Sequence, residues 1–214
     1  MSATLAERRQ GLDAATLAAF APVAASTVGH LSERGYLRGV RPLFDDIRLL
    51  GNVVTVRLFT PDGSILRQAL LACEAGDVLV IECVGDPHCA CWGELRTLAG
   101  LIKGLAGVVV AGAVTDVQAL RGHRLPMFAM GISALTTRSL GLGGELNQPI
   151  SVAGVQVNPG DLAIGDDDGV YILSAEEARA LLPELLAKEQ ADRQRRDEFV
   201  LRAAAAQAAR APLK

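Results

Sequence analysis

With 214 residues, half of them apolar and only 4% aromatic, the chain can bury one sizeable core in which Ala, Gly, Leu and Val pack helices tightly on a sheet. A formal net charge of −3 gives no electrostatic reason to expect a nucleic-acid partner. The most apolar stretch, 98–114, carries Lys103 and four glycines, which excludes a membrane span there. The N-terminus holds Glu7, Arg8 and Arg9 rather than the apolar core of a signal peptide. The four cysteines, Cys73, Cys83, Cys89 and Cys91, lack the context of a small secreted scaffold. Free thiols in a cytoplasm are expected.

In chain order, 4–20 reads as an alanine-rich helix in which Asp13 can cap a turn starting at Ala14. Pro22 opens a second helix over about 23–34, stopped by Gly35. Residues 36–46 read as a loop, and 51–59 as a strand of β-branched alternation. After the turn at Pro61-Asp62-Gly63, Ser64 is expected to cap a helix to about Glu74. Residues 77–83 are apolar on both faces, as in a central strand. A turn-rich loop over 84–91 leads to a helix over 93–103 and then to the run Gly107-Val-Val-Val-Ala-Gly-Ala-Val-Thr-Asp116, a buried strand ending in a carboxylate. A short helix near 116–121 and a strand at 126–130 follow, and the glycine-rich segment 132–148 has no clear period. Strands are expected over 150–157 and 161–173, broken by turns at Asn158-Pro159-Gly160 and Asp166-Asp167-Asp168-Gly169. Ser174 to Glu177 forms a capping box that starts a charged helix to about Ala209, with Pro183 inside it. On that helix Glu189, Asp192 and Arg193 read as a solvated face.

Open α/β sheets bind ligands at the carboxyl ends of their strands. Two places here qualify. Gly93 opens a helix whose first N–H groups can hold an anion, or it is an ordinary loop-to-helix junction. Asp116 can ligate a divalent cation with Glu94 as its companion, or it can cap the helix that follows. His30 is a lone histidine on a helix, a type more often structural than catalytic. Cys83, His88, Cys89 and Cys91 lie close in sequence, but Cys-x-Cys does not match the paired spacing of zinc knuckles.

The ordered blocks Ser-Thr-Val, Gly-Asp-Val-Leu-Val, Trp-Gly-Glu-Leu, Gly-Val-Val-Val-Ala-Gly-Ala-Val-Thr-Asp-Val, Leu-Asn-Gln-Pro-Ile and Val-Asn-Pro-Gly-Asp-Leu-Ala-Ile-Gly-Asp-Asp-Asp-Gly-Val point to one family. Over about residues 23–195 the chain resembles the hydroxymethyl-oxoglutarate / carboxy-hydroxy-oxoadipate aldolases, a family that also includes the regulator of ribonuclease activity A. The resemblance implies a single swivelling β/β/α domain over 1–214, with a helical extension over about 174–214. It also implies assembly into homotrimers or hexamers with active sites between subunits.

For function, the resemblance implies a magnesium- or manganese-dependent lyase. Such an enzyme releases pyruvate from a 2-oxo dicarboxylic-type acid by retro-aldol cleavage or decarboxylation. Gly93, Glu94, Leu95 and Arg96 would bind the pyruvate moiety through backbone amides. Asp116 would hold the metal, with Glu94 reaching it through water. Three departures or approximate matches accompany this. Thr115 stands where the family has a substrate arginine, leaving Arg96, Arg121 or Arg124 as nearby sources of charge. His30 stands for a helix acid, and Asp192 corresponds roughly to a carboxylate that a neighbour's last helix contributes. The alternatives are a non-catalytic ring-shaped binding protein like the ribonuclease regulator, or an enzyme with a shifted substrate.

Overall fold

A computed structural model describes residues 3–210 of the chain. The outermost residues of the expected domain bounds, 1–2 and 211–214, lie outside the described residues. In chain order the elements are β1 (Thr4–Leu5), α1 (Ala14–Ala19), α2 (Ala25–Leu31), β2 (Arg41–Pro42), β3 (Leu49–Phe59), α3 (Ile65–Ala72), β4 (Val78–Val84), α4 (Glu94–Lys103) and β5 (Gly107–Val114). There follow α5 (Val117–His123), β6 (Met127–Ile132), β7 (Glu145–Leu146), β8 (Ile150–Val152), β9 (Val155–Val157), β10 (Leu162–Asp166), β11 (Gly169–Leu173) and α6 (Ala175–Arg210).

Strands β3, β4, β5 and β6 run parallel and adjacent, and the full order is β1-β7-β3-β4-β5-β6-β2. Successive side chains in a strand face opposite ways, so each strand serves two cores. Val54, Val56, Leu58, Leu79, Ile81, Val108 and Val110 point to one side and pack with Ile65, Leu66 and Ala69 of α3 and Leu120 of α5. Val53, Val78, Val80, Val109, Ala111 and Phe128 point to the other and meet Ile150, Val152 and Val157 of the β8–β9 hairpin and Val170 and Ile172 of β11. Burial on both faces explains why β4 and β5 read as unbroken apolar runs.

β3 joins the layers. Its residues 53–59 pair in parallel with β4, and its first residues, 49–52, pair antiparallel with β10. The β10–β11 pair then turns its far side to a third core with Phe20 and Val23 from the α1–α2 connection, Val28 from α2, and Ala178 and Leu185 from α6. Helices on one side, a strand layer in the centre and a second strand layer behind make the β/β/α arrangement expected from the sequence.

Four local expectations need correction. The helix over 4–20 is confined to Ala14–Ala19, where Asp13 caps Thr16 as expected. Upstream, Thr4–Leu5 pairs with β7, Arg8 makes a forked ion pair with Asp77, and Asn52 bonds both the N–H and the carbonyl of Leu12. These tertiary bonds hold 6–12 off the helix that alanine propensity favours. The second helix spans only Ala25–Leu31. Its first amides are capped by distant carboxylates, Glu189 on Ala24 and Asp166 on Ala25, so Glu189 is no solvated residue. Ser64 does not cap α3 with its side chain and instead donates to Asp62. The 150–157 segment is a hairpin, turned at Ala153-Gly154. The Ser174–Glu177 capping box forms as expected and starts α6.

Candidate functional site

The segment after β4 returns along the end of β5 rather than leaving the sheet. Cys91 N–H donates to the Ala113 carbonyl, and Thr115 N–H donates to the Trp92 carbonyl at 2.9 Å. Trp92 is fully buried, and its indole N–H donates to Thr97 Oγ1 at 2.9 Å. Thr97 Oγ1 in turn donates to the Gly93 carbonyl, which locks the first turn of α4. On the other strand, β5 carries one extra residue between Val110 and Ala113 relative to β6. Such a bulge re-aims the residues beyond it, here Thr115 and Asp116. The two strand ends, 22 residues apart in sequence, thereby meet.

They meet at close quarters. A Cβ built on Gly93 would lie 2.4 Å from Asp116 Oδ2, so a side chain there would push the Asp116 carboxylate out of place. Asp116 has φ 55°, a left-handed conformation that Asp tolerates better than most residues. Its side chain does not cap α5. Instead Oδ2 accepts the Glu94 N–H at 2.9 Å and caps α4 from across the strand ends. Thr97 N–H goes to the Gly93 carbonyl, so among the described residues the N–H groups of Leu95 and Arg96 are the ones of that turn left without a protein acceptor. Asp116 Oδ1 has only a 3.4 Å contact with the Thr115 hydroxyl.

A cavity of about 420 Å³ opens here and is lined by Gly93, Glu94, Leu95, Arg96, Thr115 and Asp116. All six residues expected to bind substrate or metal thus share one cavity. Trp92, Thr136 and Thr137 also line it, and sequence reasoning missed them. Trp92 belongs to the Trp-Gly-Glu-Leu block, which carries no signal for its side chain, and the two threonines lie in the segment without a period. Glu94 Oε1 pairs with His123 Nε2 at 3.0 Å, a contact from α5 that no spacing suggested.

The charged residues sort clearly. Arg96 is half-buried, donates from Nη1 to the Cys91 carbonyl at 2.7 Å and from Nη2 to the Gly63 carbonyl at 3.3 Å, and burial lowers its pKa. Arg121 and Arg124 instead bond the carbonyls of Leu43 and Asp46 and do not reach this cavity. His30 is exposed on α2, and Asp192 lies on α6. A bond from Lys188, outweighing slight desolvation and aided by Arg195 and His30, holds the Asp192 carboxyl below its ordinary pKa. Neither His30 nor Asp192 lines the cavity in this chain. All four cysteines are unbridged, with Cys83 and Cys91 Sγ 3.7 Å apart.

Among the described residues no three His, Cys, Asp or Glu side chains converge as a metal cage. A magnesium-type site does not require one, since it takes one or two carboxylates and completes its shell with water and ligand oxygens. Asp116 Oδ1, with one long contact on a residue that lines the cavity, fits that donor set.

A swivelling α/β fold with a cavity at the carboxyl ends of parallel strands defines the class. The chain belongs to the RraA-like family, whose aldolase/RraA model matches residues 13–172. A Halalkalibacterium halodurans protein provisionally named 4-hydroxy-4-methyl-2-oxoglutarate aldolase is 32% identical over 161 residues, covering 75% of this chain and 76% of its own. The crystal structure of Streptomyces coelicolor RraAS2, described as an unusual member of the RNase ES inhibitor RraA family, superposes with a TM-score of 0.78 at 25% identity. It covers 89% of this chain and 100% of that one. The RNA-processing inhibitor RraA from Thermus thermophilis superposes at 0.62 with 29% identity, over 69% of this chain and 90% of its own. No helix among the described residues is long and apolar enough to cross a membrane.

Proposed function

We propose that the chain is a cytoplasmic divalent-metal lyase that releases pyruvate from a 2-oxo dicarboxylic-type acid. The observation that carries this reading is the convergence of Gly93–Arg96 with Thr115 and Asp116 around one cavity, in a chain of this family. The amides of Leu95 and Arg96 orient the 2-oxo acid, helped by the positive end of α4. Asp116 Oδ1 would hold magnesium or manganese, with Glu94 reaching it through water. A cation there would supply Lewis-acid stabilisation to the charge that develops on the 2-oxo group. A base takes the proton of the substrate's tertiary hydroxyl, that oxygen becomes a carbonyl as the carbon–carbon bond breaks, the bond's electron pair forms the pyruvate enolate, and a proton returned to the enolate carbon gives pyruvate. Thr115 offers one neutral hydrogen bond to that charge, where an arginine would offer a charged fork.

His30 and Asp192 enter this reading through a neighbouring subunit, in a homotrimer or a hexamer. His30 is exposed and Asp192 half-buried, and neither lines the cavity of its own chain, which supports this reading, as does the exposure of Leu95 at the cavity edge. Light scattering at micromolar concentration is expected to give a trimer or its double. A monomer near 22.4 kDa would remove His30 and Asp192 from the mechanism.

A second reading, a non-catalytic ring-shaped binding protein, draws on a specific observation. Glu94 is bonded to His123 and Asp116 to the Glu94 amide, so both carboxylates already have structural partners. A pyruvate-release assay on oxaloacetate and hydroxymethyl-oxoglutarate separates the two. Release with magnesium that chelator stops is expected, and Asp116→Ala should abolish it. No release from either acid, with or without metal, favours the binding protein.

A further inference from the structure

We infer that the Arg96 guanidinium, with the Thr137 hydroxyl beside it, anchors the substrate carboxylate in this cavity and sets its preference for anionic 2-oxo acids. The inference rests on the lyase reading above and supplies the cation that Thr115 cannot.

The two bonds from Arg96 to the Cys91 and Gly63 carbonyls fix the guanidinium and leave further N–H donors unused. Among the described residues no Asp or Glu forms an ion pair with it, whereas Arg8 pairs with Asp77 and Arg57 with Glu82 and Glu145. A half-buried cation without a counter-ion is costly, and burial without an acid lowers the Arg96 pKa accordingly.

Thr137 gives an independent sign. Its Oγ1 is buried and has no hydrogen-bond partner among the described residues, which is uncommon in folded proteins. It also converges on Arg96. A Cβ built on Gly63 would lie 2.6 Å from Thr137 Oγ1 and 2.8 Å from Arg96 Nη2, so both polar groups close on the same glycine. Both residues line the cavity that holds Thr115 and Asp116. A guanidinium fork with unused donors, beside an enclosed hydroxyl that lacks an acceptor, matches a carboxylate.

The test is titration calorimetry on the full chain with magnesium, using pyruvate and its uncharged analogue pyruvamide. Wild type should prefer pyruvate by about tenfold or more, the factor of a charge-assisted hydrogen bond. Arg96→Gln should bring that preference below about threefold by weakening pyruvate alone; a purely structural role would weaken both ligands together. Thr137→Val should weaken pyruvate several-fold with its melting temperature unchanged or raised, since it removes an unpaired buried hydroxyl. Adding Thr115→Arg to Arg96→Gln should restore the preference. A preference that survives in Arg96→Gln overturns the anchor and spares the lyase reading. If wild type does not bind pyruvate, both fall. Binding that depends on Arg96, with no 2-oxo acid cleaved, upholds the anchor and overturns the lyase.

Discussion

Two polar clusters flank Gly63, and they are finished differently. On one side Asp62 is fully buried, and its carboxylate accepts four hydrogen bonds: Ser64 N–H and hydroxyl, Leu140 N–H and Leu142 N–H. On the other side, among the described residues, Arg96 has no counter-ion and the Thr137 hydroxyl has no partner. Unpaired buried polar groups cost stability, so a chain that completes one cluster and leaves its neighbour open is making different use of each. The saturated cluster is architecture. It clamps residues 138–142 to the end of β3, helped by mutual backbone bonds of Arg138 with Pro61 and Gly63, and so holds Thr137 against the cavity. The unsaturated cluster is the surface on which a ligand can act.

The largest effect should come from breaking the saturated side. Asp62→Ala leaves a fully buried carboxylate site empty and strands three part-buried N–H groups, and urea denaturation should show a loss of about 3 kcal/mol. The same clamp should respond to acid. Burial pushes the Asp62 carboxyl up, but the bonds from Leu140, Ser64 and Leu142 outweigh it and hold the pKa at about 2, against 3.8 ordinarily. A carboxyl depressed in the folded state gives its full stabilisation above its unfolded value and loses it as pH falls through the folded one. Wild-type stability should therefore decline between about pH 4 and about pH 2 more steeply than that of Asp62→Asn. Parallel declines would deny Asp62 its architectural role.

Most of the sheet was legible in the sequence because parallel central strands must be apolar on both faces, as 78–81 and 108–110 are. The α6 start was legible because a capping box is a local device. What failed was long-range. Alanine content predicts helix at 4–20, and no local rule foresees Arg8 reaching Asp77 or Asn52 bracketing Leu12. The same limit applies at the cavity. Gly93 and Asp116 could be named one at a time, but their contact depends on the β5 bulge and on Trp92 lying along Val114. Thr136 and Thr137 arrive through pairing with Ala90, from a segment with neither helical nor strand period. Glu189, read as a surface charge, caps α2 because α6 folds back onto it.

Asp116 belongs to both sides of the comparison, and the smallest expected effect comes from separating its two roles. Oδ2 is structural: it caps α4 through the Glu94 amide, and the backbone it sits on is left-handed at φ 55°. Oδ1 keeps a single long contact, on a residue that lines the cavity. Alanine loses the cap and tolerates that backbone poorly, so Asp116→Ala should lower stability by about 1–2 kcal/mol. Asparagine keeps an acceptor for Glu94 and adopts the left-handed region readily. Asp116→Asn should therefore lose only a few tenths of a kcal/mol, from the charge removed at the α4 N-terminus. Thermal melts without metal would read this ordering. Magnesium-dependent pyruvate release should vanish in both variants alike, because a neutral amide is a poor ligand for a hard cation. If Asp116→Asn retains that dependence, the metal is not held by Asp116, and its carboxylate serves the fold alone.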